Sequence, residues 1–119
     1  MKNVVILNLI IVLLQSCTKV NPIPTSYYGT WVAETPQFLS TNYRIHTLKI
    51  YTVSKGRPFG EYTSTGQYEL FDESIDGFVI IEGNRLKIQK KEFTIEQVPY
   101  EKEESKMEMQ LSTLEFRKS

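Results

Sequence analysis

The amino-acid sequence predicts an all-β domain, a small antiparallel up-and-down β-barrel of about eight strands. Short runs in which apolar and polar residues alternate recur at regular spacing beyond residue 27, and turn-forming residues separate them. No stretch of ten or more residues in this part of the chain has the apolar period of a helix. Because closing a sheet removes its exposed edges, a barrel of sequence-adjacent strands is favoured.

The expected strands are extended runs rich in β-branched and aromatic residues. They cover residues 28–33, 43–53, 59–71, 78–81, 86–89, 93–96, 107–111 and 114–116. The expected loops and turns lie at residues 35–42, 55–58, 72–77, 83–84, 90–91, 101–106 and 112–113. Gly83 and Asn84 form the clearest hairpin signal. In the first loop, Phe38 and Leu39 are expected to cover the core. Residues 78–81 are all apolar, which predicts that both faces of this strand are covered.

Residues 1–16 are expected to form an export signal. Lys2 gives a positive start, and residues 4–14 are apolar except for Asn8. A lasting membrane span needs about 20 apolar residues, so this shorter run fits a cleaved signal better. Leu14, Ser16 and Cys17 then resemble the lipobox of bacterial lipoproteins, which implies acylation of Cys17. The alternative is a secreted protein with a free thiol.

This resemblance divides the chain into a signal peptide at 1–16, an acylated cysteine with an extended tether at 17–26, and a barrel domain at 27–119. Pro22 and Pro24 favour extended geometry in the tether, which would hold the domain roughly 25–30 Å from the lipid. No acidic residue precedes Glu34. We therefore expect a protein of the bacterial cell envelope, lipid-anchored on the outer membrane and facing the periplasm.

The composition excludes several classes of function. Removing residues 1–16 from the 119-residue chain leaves 103 residues with 13 Lys and Arg (14 less Lys2) and 14 Asp and Glu. This balance gives no strong field that would attract nucleic acid. Cys17 is the single cysteine and His46 the single histidine, so His and Cys cannot together build an ordinary zinc or copper site in the domain. No catalytic motif surrounds His46, and we expect neither an enzyme nor a bound cofactor.

The first and last strands resemble those of lipocalins. Gly29 and Trp31 form the Gly-x-Trp motif of that family's first strand, and Arg117 matches the basic residue of its final strand. The resemblance covers residues 27–118 and is strongest to small lipocalin-like lipoproteins of bacteria. It implies a barrel of the calycin type in which Gly29 allows close packing, Trp31 closes one end, and Arg117 stacks on the indole.

Two functions fit such a barrel, which we expect to be a monomer. In the first, the barrel binds a small apolar or amphipathic ligand of the envelope. Alternation along the strands gives the possible lining residues Tyr51, Tyr62, Tyr68, Leu70, Ile80, Ile88 and Ile95. In the second, a filled barrel acts as a protein-interaction or inhibitor module, with residues 20–28 as an extended arm. An internal cavity would favour the first function, and a filled barrel with an exposed apolar patch would favour the second.

The lipobox generates a direct prediction. Cys17→Ala should abolish acylation and block cleavage after Ser16, because only a thiol can take the diacylglyceryl group. Ser16→Ala, which keeps a small residue before the cut, should still be processed. Metabolic labelling with palmitate and the mass of the purified chain measure both effects. A Cys17→Ala protein of mature length that still carries lipid would contradict the prediction.

Overall fold

The structure is an eight-stranded closed barrel, which confirms the predicted fold class. The computed structural model describes residues 22–36, 42–103 and 106–119. The strands are β1 (Gly29–Pro36), β2 (Tyr43–Val53), β3 (Arg57–Thr65), β4 (Glu73–Glu82), β5 (Arg85–Ile88), β6 (Lys91–Glu103), β7 (Lys106–Leu111) and β8 (Leu114–Lys118). Each strand pairs in antiparallel fashion with its sequence neighbours, and β8 pairs with β1 to close the barrel.

Helical structure in the described residues is confined to three short 3₁₀ turns, Thr25–Tyr27, Ser54–Gly56 and Glu69–Phe71. None of these is long and apolar enough to cross a bilayer. The antiparallel order gives the barrel two ends. We call the end with the first 3₁₀ turn and the β2–β3 and β4–β5 turns the proximal end. The distal end carries the β3–β4 loop and the β5–β6 and β7–β8 turns.

Several boundaries match the prediction and others do not. The second strand and the turn at residues 83–84 lie where expected. The third strand ends at Thr65, well before residue 71, because the chain leaves the sheet for the loop that precedes β4. The fourth strand begins at Glu73, inside the expected acidic loop. Residues 101–103, expected in a loop, belong to β6.

The prediction that residues 78–81 are covered on both faces is wrong. Val79 is buried, whereas Phe78 is 44% exposed and Ile80 is 39% exposed. A barrel strand turns alternate side chains to the interior and to the outside, so a fully apolar run still leaves half of its side chains outside.

One apolar cluster fills the barrel. Its members come from all eight strands and from the segment before β1. The six side chains with no exposed surface are Trp31, Leu48, Leu86, Ile88, Leu111 and Phe116. Interior positions recur at every second residue, as in β3, where Gly60, Tyr62 and Ser64 are buried. This period of two fixes the pairing register, because a one-residue slip would turn the whole apolar set outward.

Trp31 lies in the core near the proximal end. Its side chain is fully buried, and its indole N–H donates a hydrogen bond of 2.8 Å to the carbonyl oxygen of Tyr27. The cation above the ring is Lys118, whose Nζ lies 5.5 Å from the ring centroid. Gly29 has φ +137°, and a Cβ at this position would collide with the Lys118 side chain. The absence of a side chain at Gly29 therefore allows Lys118 to lie in this position.

The predicted stacking of Arg117 on Trp31 is therefore wrong. Phe116 is buried and Arg117 is exposed, because successive residues of β8 face opposite sides of the sheet. Arg117 pairs in register with Val32, and Lys118 pairs with Trp31. The basic residue on the indole is one position later than the resemblance suggested.

Fewer residues are left for a free tether before β1 than predicted, because part of this segment packs against the barrel. Residues up to 26 were expected to be extended, but Ile23 is 8% exposed and joins the core cluster. Thr25–Tyr27 forms a 3₁₀ turn, and Tyr27 packs into the core at 3% exposure. Pro24 keeps an extended backbone with φ −55° and ψ 138°, and burial of the Ile23 and Tyr27 side chains ties this segment to the barrel. Cys17, Phe38 and Leu39 lie outside the described residues.

Trp31→Ala should lower the free energy of unfolding by about 3–5 kcal/mol, because it removes a large buried side chain and opens a cavity at the closed end. Tyr43→Ala is the control, since that side chain is 57% exposed, and it should change the stability by less than about 0.5 kcal/mol. Denaturant unfolding followed by circular dichroism measures both. Equal effects of the two substitutions would contradict this account of closure.

Candidate functional site

Three of the seven predicted lining residues face inward. Tyr62 is 2% exposed, Ile88 is fully buried, and Ile95 is partly buried against the core. They pack against other side chains: the ring of Tyr62 meets the ring of Phe93 edge-on at 5.1 Å between centroids. The described interior is thus filled by the protein's own side chains, as small barrels commonly are.

The other four predicted lining residues are exposed, and their assignment to the interior is wrong. Tyr51 and Ile80 sit at outward positions of β2 and β4 and are each 39% exposed. Tyr68 is also 39% exposed and Leu70 is 88% exposed, since both follow the end of β3, where the strand alternation no longer applies.

A polar cluster lies inside the barrel towards the distal end. His46 is only 7% exposed, and its two ring nitrogens lie 2.8 Å from the Tyr62 hydroxyl and 2.9 Å from Thr35 Oγ1. Burial, followed by the nearby charge of Arg44, lowers the pKa of His46, and burial raises the pKa of Tyr62. A neutral imidazole uses one nitrogen as donor and the other as acceptor, so both are satisfied here. Both ring nitrogens of His46 therefore have hydrogen-bond partners inside the barrel.

Next to this cluster, Arg44 holds the β3–β4 loop. Its guanidinium donates to Asp72 Oδ1 at 3.0 Å, to the Tyr68 carbonyl at 3.0 Å and to Ser64 Oγ at 3.2 Å. The same carboxylate oxygen of Asp72 accepts a hydrogen bond from the Gly66 amide at 3.1 Å. The Arg44 side chain is 12% exposed, which strengthens these charge-assisted bonds relative to open solvent. Residues 66–72 are therefore fixed at both ends.

This loop carries large apolar side chains that face water. Leu70 is 88% exposed and Phe71 is 63% exposed, both within the 3₁₀ turn Glu69–Phe71. Tyr43 and Ile45, at the distal end of β2, are 57% and 45% exposed. We call residues 66–72 the distal loop. Several exposed apolar side chains at one end of the barrel are a feature that can mark an interaction surface.

A second apolar feature lies on the outer wall of β2, β3 and β4. Tyr51, Phe59 and Phe78 are adjacent in register, with ring centroids 5.8 and 5.6 Å apart. The guanidinium of Arg57 lies 4.5 Å above the Phe78 ring. These contacts cover part of each ring, so the row is less exposed than the distal loop.

Two of the open clefts that border the described part of the barrel differ in their lining. One, of about 830 Å³, runs along the outside of the β1–β8 junction and is lined by charged side chains of both signs, including Glu34, Lys106 and Arg117. The other, of about 470 Å³, lies at the proximal end beside the segment that enters the barrel. Its lining is mostly apolar and includes Tyr27, Ile81 and Val98. We call it the proximal cleft.

Within residues 22–36, 42–103 and 106–119, no group of three or more His, Cys, Asp or Glu side chains is arranged to hold a metal ion.

Comparison of the chain with models of protein families, with curated proteins and with solved structures gives no match. The lipocalin resemblance accordingly remains a prediction from Gly29, Trp31 and the barrel topology.

The sequence did not reveal the distal loop as a unit. Arg44 and Asp72 are 28 residues apart in the chain, and only the β2–β3–β4 arrangement brings them together. The local signals in the sequence were Gly66 and the acidic residue Asp72 just before a strand. They indicate a turn but do not show which distant residue pairs with Asp72.

Asp72→Ala should loosen the distal loop without unfolding the barrel. It removes an acceptor shared by Arg44 and Gly66, and we expect faster amide hydrogen exchange at Gly66 and through residues 66–72. The cost in global stability should be about 1–3 kcal/mol, as for hydrogen bonds to charged groups. Glu92→Ala, which removes only exposed ion pairs with Arg85 and Lys87, is the control. Unchanged exchange at Gly66 would contradict the proposed role of Asp72.

Proposed function

We propose that the chain is a lipoprotein, anchored by Cys17 to a membrane of the bacterial cell envelope, whose filled barrel presents the distal loop to a protein partner. The observation that carries this proposal is the 88% exposure of Leu70 on a loop fixed by Arg44 and Asp72. The packed interior favours this interaction role over an interior ligand, which would need open volume.

The energetics of the loop support binding. Burying an exposed leucine fully in a partner's pocket contributes about 1.5–3 kcal/mol, and Phe71 adds aromatic area beside it. Binding also costs the entropy of ordering the contacting loop, and a loop already held in one conformation avoids much of that cost. The Arg44 and Asp72 contacts thus favour association even though they need not touch the partner.

The placement of the loop also fits the proposal. The chain enters the barrel at the proximal end through residues 22–28, and the distal loop lies at the other end. A protein anchored through Cys17 would therefore hold Leu70 and Phe71 on the side away from the anchor. A partner that is free in the periplasm, or bound to another surface there, fits this geometry.

The test places a photo-reactive p-benzoylphenylalanine at Leu70 in the full-length chain, in the cells that produce it. Irradiation should yield one discrete protein adduct whose partner is identified by mass spectrometry. The same amino acid at Lys90, in the exposed β5–β6 turn at the same end, is the control and should give no such adduct. Adding Asp72→Ala should reduce the adduct at position 70. Absence of an adduct at position 70, or equal adducts at both positions, would contradict the proposal.

A further inference from the structure

The proximal cleft has the properties of a site for a single apolar chain. Its volume of about 470 Å³ lies within the range of small-molecule sites. None of its lining residues is charged, and its walls include Pro24, Tyr27, Ile81, Ile95, Val98 and Pro99. Val98 remains 54% exposed, so apolar surface is left facing water at the rim.

The cleft lies between the proximal part of β6, the 3₁₀ turn Thr25–Tyr27 and the β4–β5 turn. Strand β5 pairs with β6 only as far as Thr94, and a hydrogen bond from the Ile95 amide to the Asn84 carbonyl follows. Beyond that point β6 continues without β5 beside it. The 3₁₀ turn Thr25–Tyr27 packs near this part of β6 and leaves a gap bounded by the β4–β5 turn.

The position of Cys17 limits how far this cleft lies from a membrane. Five residue steps separate Cys17 from Pro22, the first described residue, and a fully extended chain of that length reaches about 18 Å at most. Pro24, two residues later, already lines the cleft. Burial of Ile23 prevents the longer tether that the prolines alone would give.

We propose that the proximal cleft receives an acyl chain of a bilayer phospholipid and seats the barrel on the membrane that holds it. This inference rests on the proposed anchoring through Cys17. The absence of charge in the lining suits a hydrocarbon chain and does not suit a headgroup or an acidic peptide. The tether keeps Pro22 within about 18 Å of the lipid surface, so bilayer chains are apolar groups at high local concentration near the cleft.

Seating at the proximal end would also orient the molecule. A single flexible tether lets a domain tumble, whereas a second contact at the same end restricts it. The distal loop would then point away from the bilayer, where a protein partner could reach Leu70. The two ends of the barrel would have separate tasks, one towards lipid and the other towards protein.

Trp31 serves as the fluorescent probe because it is the only tryptophan in the sequence. Its indole N–H donates a hydrogen bond to the carbonyl oxygen of Tyr27, a residue that lines the cleft. The lipidated full-length protein is reconstituted into phosphatidylcholine vesicles whose acyl chains are either unmodified or brominated at mid-chain. Bromine quenches tryptophan emission only at short range. We expect a loss of Trp31 emission in brominated vesicles relative to unmodified ones.

Val98→Asp places a charge in the cleft and should abolish most of that loss, while flotation with the vesicles and thermal unfolding stay unchanged. Val53→Asp is the matched control, since Val53 lies at the proximal end outside the lining of the cleft, and it should keep the quenching. Equal emission in the two kinds of vesicle, with the protein floating, would overturn the acyl-chain site and leave the anchoring intact. Quenching unaffected by Val98→Asp would also overturn the site. Native protein purified from cells with no lipid on Cys17 would overturn the anchoring and this inference together.

Discussion

Closure of the barrel between β1 and β8 is the constraint on which the rest of the structure depends. The junction contains two residue pairs, Trp31 with Lys118 and Val32 with Arg117. Such a short ladder supplies few hydrogen bonds, so side-chain packing beneath it must hold the first and last strands together. Trp31 provides that packing, and the carbonyl of Tyr27 satisfies its buried N–H. The segment before β1 is therefore part of the fold.

A closed barrel of this size has an interior that its own side chains can fill. Here they do, and His46 and Tyr62 satisfy each other's polar groups inside it. A filled interior contributes stability, and the side chains left exposed to solvent lie on loops, in clefts and on the outer wall. The exposed apolar side chains are accordingly the informative ones, because an interior that packs well would look the same in a protein of any function.

The sequence predicted the topology well, because alternation and turn residues are local signals. The turn at residues 83–84 and the whole of β2 follow from them.

The site was predicted poorly for two physical reasons. Alternation gives the period of a strand but not which phase faces inward, so Tyr51 was assigned to the wrong side. Arg117 was placed on the indole by the lipocalin resemblance, whereas Lys118 lies there. Contacts between distant residues, such as Arg44 with Asp72, leave no local pattern at all.

The two ends of the barrel differ in how their apolar groups are held. At the distal end, charge-assisted hydrogen bonds from Arg44 to Asp72 and to the Tyr68 carbonyl hold a loop that leaves Leu70 exposed, a conformation that apolar packing alone would not select. At the proximal end, apolar packing of Ile23 and Tyr27 draws the chain inward and leaves an uncharged gap beside it. Charged groups thus position a projecting surface, and hydrophobic burial creates a recessed one. Under the two proposals, the projecting leucine enters a pocket in a protein partner and the uncharged recess takes a hydrocarbon chain, so each end of the barrel meets a different environment.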